Sequence, residues 1–174
     1  MKKQHLNSEK KLAEIIGQVP LIIGIGNTLR GDDAAGTALL DLLDALGYPH
    51  LFDCGANPEN YLYKIAGYPA KCRLWVDAIQ FRGKPGEWKI FNRDEVAVYD
   101  ISTHNFSPDL LSRFLENIKP ATDFFLGIQP LQMQLGAPLS PDVKQTIDWL
   151  SRTIIQIYRS SGYQLKKGNQ PQPK

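Results

Sequence analysis

Short apolar runs and helix-period apolar patterns alternate along the chain. Residues 19–25 (VPLIIGI) are almost wholly apolar, as in a strand buried on both faces. Gly26 and Asn27 break that run. From residue 33 to 46 the period changes: Leu39, Leu40, Leu42, Leu43 and Leu46 form one broad helical face, which Gly47 ends. A second short strand covers 51–54. Asn57-Pro58 then opens a helix carrying Tyr61, Leu62, Ile65 and Ala66, with Asn57 as its cap. Residues 72–77 (CRLWVD) form a third strand and 88–91 a fourth. A helix runs from 108 to about 118, with Leu110, Leu111, Phe114, Leu115 and Ile118 on one face. Residues 124–128 (FFLGI) make the last strand, and Ser140-Pro141 starts a final amphipathic helix through Tyr158.

Alternating strands and helices with short connections predict an α/β fold: a single domain with a twisted, mostly parallel five-stranded sheet and helices on both faces. The domain is expected over 19–160. Residues 1–18 read as a flexible N-terminal lead-in, with one helical turn near Leu12, and 161–174 as a disordered tail. One domain suits a chain of 174 residues.

Composition adds mostly exclusions. A formal net charge of +2, well mixed along the chain, supplies no field to hold nucleic acid or an anionic membrane. The leading residues have no continuous apolar core, and no run approaches about 18 apolar residues, so neither a signal peptide nor a membrane span is expected. Cys54 and Cys72 lie in or beside apolar runs without a Cys-x-x-Cys pair. They read as buried free thiols of a reducing compartment. A cytoplasmic protein is expected, and a polar surface suggests a monomer.

In a parallel sheet, chemistry collects beyond the carboxyl ends of the strands. Asp32 and Asp33 follow the first strand, Asp77 ends the third, and His104 sits in the STHN segment before a helix. Two carboxylates and an imidazole suit a divalent ion of the nickel or zinc class with open positions for water or substrate. A strand-end aspartate is more often a turn or cap partner than a ligand, so spacing alone favours the structural reading over the metal, by roughly two to one. The turn GIGNTLRGDDAAG is no dinucleotide fingerprint: Leu29 stands where the third glycine of G-x-G-x-x-G belongs, and Asp32-Asp33 would repel a pyrophosphate. His50 reads as a turn or surface residue, and His5 lies in the lead-in. Gly127 marks a close approach to its strand, by substrate or by packing.

Five segments, GNTLRGDDAAG, DCGANPEN, LWVDAI, STHN and FLGIQP, stand in this order at this spacing. Together they resemble the nickel–iron hydrogenase maturation endopeptidases, most closely those acting on formate-linked hydrogenases. The resemblance runs from residue 21 to 158. It implies a five-stranded α/β fold and an endopeptidase that removes the C-terminal extension of a hydrogenase large-subunit precursor after nickel insertion. The resemblance further implies that the bound nickel is the recognition feature and arrives with the substrate. Carried over by motif, Asp33, Asp77 and His104 become the metal-facing catalytic set, and Asp53 a substrate-positioning residue. Two positions depart from the pattern: Ala34 stands for a glycine after the acidic pair, and Cys54 for another glycine. Neither removes a ligand. The rival reading from the same ligands is a non-catalytic nickel-sensing chaperone of the large subunit.

Overall fold

The computed structural model describes residues 2–97 and 108–166. In chain order it comprises helix α1 (Lys2–Ile16), strand β1 (Leu21–Gly24), helix α2 (Ala35–Ala45), strand β2 (Leu51–Asp53), helix α3 (Leu62–Gly67) and strand β3 (Cys72–Ala78). Strand β4 (Trp88–Phe91), helices α4 (Arg93–Ala97) and α5 (Pro108–Ile118), strand β5 (Thr122–Ile128) and helix α6 (Pro141–Ser160) complete it. The five strands lie in the order β2-β1-β3-β5-β4. All pairings are parallel except β4 with β5. The expected mostly parallel sheet is therefore present, with its antiparallel member at an edge.

Alternation along each strand builds two cores. Ile22, Leu74, Val76, Ile90, Leu126 and Ile128 face one side, where they meet apolar residues of α1, α2 and α6. Leu21, Ile23, Trp75, Phe91 and Phe125 face the other, against α3, α4 and α5. Both faces are covered, which is why the strands read as continuous apolar runs rather than alternating ones.

Several expectations change. The lead-in over 1–18 is not a loose segment: it holds the fifteen-residue helix α1, whose Leu12, Ile15 and Ile16 are fully buried in the first core. Three apolar residues at helical spacing suffice to dock an otherwise polar helix. At the other end, Lys166 donates its amide to the Gly47 carbonyl, Leu165 packs on the first core and Tyr163 stacks on Tyr158. The tail is therefore folded back through 166; residues 167–174 lie outside the described ones. Asn57 makes no side-chain cap; Pro58–Tyr61 is a turn of 3-10 helix and the α-helix begins at Leu62. On α5, Leu111 and Leu115 are buried while Leu110, Phe114 and Ile118 stay over 40% exposed. Gly127 is explained by packing: a Cβ there would come within 2.8 Å of the Ile79 Cβ.

One close approach sets the site. A Cβ on Gly36, in the first turn of α2, would lie 2.2 Å from the Ile25 carbonyl oxygen and 2.3 Å from that of Val76. Helix α2 thus rests its N-terminal turn directly on the carboxyl ends of β1 and β3. Because both neighbours are backbone, Gly36→Ala cannot be absorbed by a side-chain shift. It is expected to cost about 3 kcal/mol or more, read as a lowered midpoint in urea unfolding.

Candidate active site

Strands β1 and β3 are neighbours, but the chain leaves β1 towards β2 on one side and reaches β3 on the other. This is a topological switch point, where a crevice opens beyond the carboxyl ends. The turn after β1 and the end of β3 border it. Ile25 donates its amide to the Val76 carbonyl at 2.9 Å, extending the pairing to the residue before Asp77.

Between β1 and α2, Gly31–Ala34 forms a turn of 3-10 helix that buries both acidic residues. The helical pattern expected from residue 33 therefore starts as 3-10 and becomes α only at Ala35. Gly31 has φ +56°, and a Cβ on it would meet the Gln132 carbonyl at 2.8 Å; glycine alone fits this bend without strain. The two adjacent carboxylates have different surroundings. Asp32 is fully buried and accepts four hydrogen bonds. The Leu131 and Gln132 amides and the Ser140 hydroxyl donate to Oδ2, and the Ser140 amide to Oδ1 at 2.6 Å. Its task is structural: it fastens the turn to the loop between β5 and α6. Ser140, which reads as the cap of α6, instead turns its hydroxyl to Asp32.

Asp33 is 1% exposed and its Oδ2 lies 4.0 Å from Nε of the half-exposed Arg30. Its backbone carbonyl accepts from Asn27, closing the turn on β1. Asp77 is 4% exposed at the end of β3, and the Ala78 amide donates to its Oδ1 at 2.8 Å. Asp33 and Asp77 are thus brought to the same edge by adjacent strands. Asp53 ends β2 in register with Gly24, and is exposed. It accepts from the Thr37 hydroxyl of α2 and from the Gly55 amide. It stands on the far side of β1 from Asp77, flanking the turn.

His104 lies outside the described residues. Among the described residues no three His, Cys, Asp or Glu side chains are grouped to hold a metal ion. His50 cannot substitute: it precedes β2 at the amino end of the sheet, bonded to the Tyr68 hydroxyl at 2.6 Å. Burial and the nearby Lys166 lower its pKa, so it is neutral at pH 7.

A cysteine nucleophile is disfavoured. Burial, aided by Asp53, pushes the Cys54 thiol up to about 12, and burial pushes Cys72 to about 11. Neither supplies thiolate near neutral pH. Gln129 is a contributor that sequence reading left without a role. Its buried side-chain oxygen accepts from the Phe81 and Gly83 amides, pinning the loop after β3 to the end of β5. The glutamine of FLGIQP was in plain view, but its partners lie 46 and 48 positions away.

Residues 39–157 match the family model described as hydrogenase maturation protease, HycI. The hydrogenase 3 maturation protease of Escherichia coli is 30% identical over 132 residues, covering 74% of this chain and 83% of that one. The crystal structure of a [NiFe] hydrogenase maturation protease, HycI from Thermococcus kodakarensis, superposes with a TM-score of 0.75 at 28% identity, covering 86% of this chain and 99% of that one. The solution structure of the endopeptidase HycI from Escherichia coli gives 0.71 at 26% identity, covering 87% and 98%.

Proposed function

The chain belongs to the hydrogenase maturation protease family, and from that premise we propose that it cuts the C-terminal extension from a nickel–iron hydrogenase large-subunit precursor in the cytoplasm, once nickel is in place. The observation that carries this reading is the pair of buried carboxylates, Asp33 and Asp77, delivered to one sheet edge by adjacent strands. A carboxylate in such a place is costly unless a cation or donors face it. Two carboxylates joined by an imidazole form a borderline-to-hard set that can meet nickel carried by the precursor as part of the substrate. His104 is the third donor in this reading. Asp53, exposed beyond β2, positions the incoming segment.

Cleavage needs a water held against the scissile carbonyl and a group to take its proton. In this reading Asp33 or Asp77 takes it, and the same carboxylate can return the proton to the departing amine. Docking of the precursor's metal against the pair fixes the peptide bond beside them, so positioning supplies a large part of the rate. A precursor lacking nickel would offer this pair no cation to hold the peptide bond in place. The metal thereby gates the cut.

The test is a gel assay with nickel-loaded and nickel-free precursor. A size shift with the loaded precursor alone is expected. Equal cutting of both forms would remove nickel as the recognition feature. Binding of loaded precursor without any cut would replace the protease reading with a nickel-sensing chaperone.

A further inference from the structure

Three of the four most exposed large apolar side chains among the described residues are leucines on two joined loops: Leu29 (65%), Leu131 (57%) and Leu135 (76%). Leu29 belongs to the turn after β1, and the other two to the loop after β5. The Gly136 amide donates to the Leu29 carbonyl at 2.7 Å, and the Gly31 amide to that of Ala137 at 3.0 Å. The Leu131 amide is held by Asp32 at 2.8 Å. The backbone beneath these side chains is thus bonded in place, and bonded to the turn that carries Asp33. Single exposed leucines are ordinary on a protein surface. Three on a pinned double loop, bonded through its backbone to the turn that carries Asp33, suit a contact surface better than scattered single leucines do.

Resting on the function proposed above, we propose that Leu29, Leu131 and Leu135 form an apolar docking rim that seats the surface of the large-subunit precursor flanking its scissile bond. Continuity with the carboxylate edge selects this occupant. The precursor must come to this edge to be cut, whereas a second copy of this chain seated there would cover Asp33. The leucines offer no hydrogen bonds, so the matching surface is apolar. The rim supplies binding, and Asp33 and Asp77 the chemistry.

The experiment compares the wild type with Leu131→Asp/Leu135→Asp, and with Leu46→Asp as a control. Leu46 is 41% exposed at the end of α2 and tests the same kind of substitution, one aspartate against the rim's two, away from the rim. Steady-state cleavage of nickel-loaded precursor is measured, together with the Kd for precursor in an Asp33→Asn background. The rim variant is expected to raise KM and Kd roughly tenfold or more, with kcat within about twofold and unaltered circular dichroism. Leu46→Asp should change neither. Unchanged KM and Kd, or an equal rise with Leu46→Asp, overturns the rim. So does a wild-type dimer in sedimentation that the rim substitutions dissociate. If the wild type binds precursor but cuts none, the cleavage reading fails, and the Kd comparison alone still decides the rim.

Discussion

Asp33→Asn is expected to slow precursor cleavage by about a thousandfold or more while the protein melts within a few degrees of the wild type. The amide keeps the volume of the carboxylate but loses its charge and its ability to take a proton. The Arg30 guanidinium stands 4.0 Å away and is half exposed, so losing that pair costs little. The neighbouring residue provides the contrast. Asp32→Asn puts an amide among four donors, so it should lower the melting temperature, with activity lost only as far as the fold is. Single-turnover cleavage and calorimetry on the two variants separate the roles. Wild-type cutting by Asp33→Asn would move the proton-transfer assignment to Asp77.

The largest effect on stability is expected at the other end of the sheet. Arg73 and Asp123 are opposite each other on β3 and β5, both almost wholly buried, and form a two-pronged pair with bonds of 2.7 and 2.8 Å. Asp123 also accepts from the Trp75 indole at 2.7 Å and the Ser112 hydroxyl at 2.6 Å. Arg93 of α4 bonds Ser112 and stands 3.7 Å from the same carboxylate. Removing the carboxylate leaves one buried guanidinium uncompensated and two donors without their acceptor. Asp123→Ala should therefore cost about 3–5 kcal/mol. For a chain of this size that is a drop of roughly 6–20 °C in melting temperature. Arg73→Met/Asp123→Leu should recover part of the loss, because a matched apolar pair carries no orphan charge. A shift under about 3 °C for Asp123→Ala would mean that water replaces the carboxylate. Since Asp123 lies four register positions before Gly127, the partner of Asp77, cleavage measured well below the melting point should stay close to wild type.

These two cases also show what a sequence discloses. The strands were legible because burial on both faces leaves an unbroken apolar run, as in Leu21–Gly24. The direction of β4 was not, since WKIF reads the same in either sense. Helix α1 was masked by its polar residues, although Leu12, Ile15 and Ile16 had the right spacing. Asp33 and Asp77 stood out by lying at strand ends. Asp32 looked like their equal, and only contacts with residues far downstream reveal it as a fastening. Arg73 carries a legible signal, since a charge inside an apolar strand demands a buried partner, but that partner, Asp123, stands just before the strand expected over 124–128 and joins β5 only in the structure.

The Asp32 fastening has a consequence for the order in which the protein becomes competent. Its partners lie 99 to 108 positions later in the chain. During synthesis the residues that border the crevice emerge early, yet the bend that aims Asp33 has nothing to hold it until the stretch from Leu131 to Ser140 has left the ribosome and docked. Contacts so distant in sequence form late. A nascent or truncated chain can therefore display Asp33 and Asp77 while the turn between β1 and α2 still lacks its fastening, and that edge takes its final shape only with the completed fold.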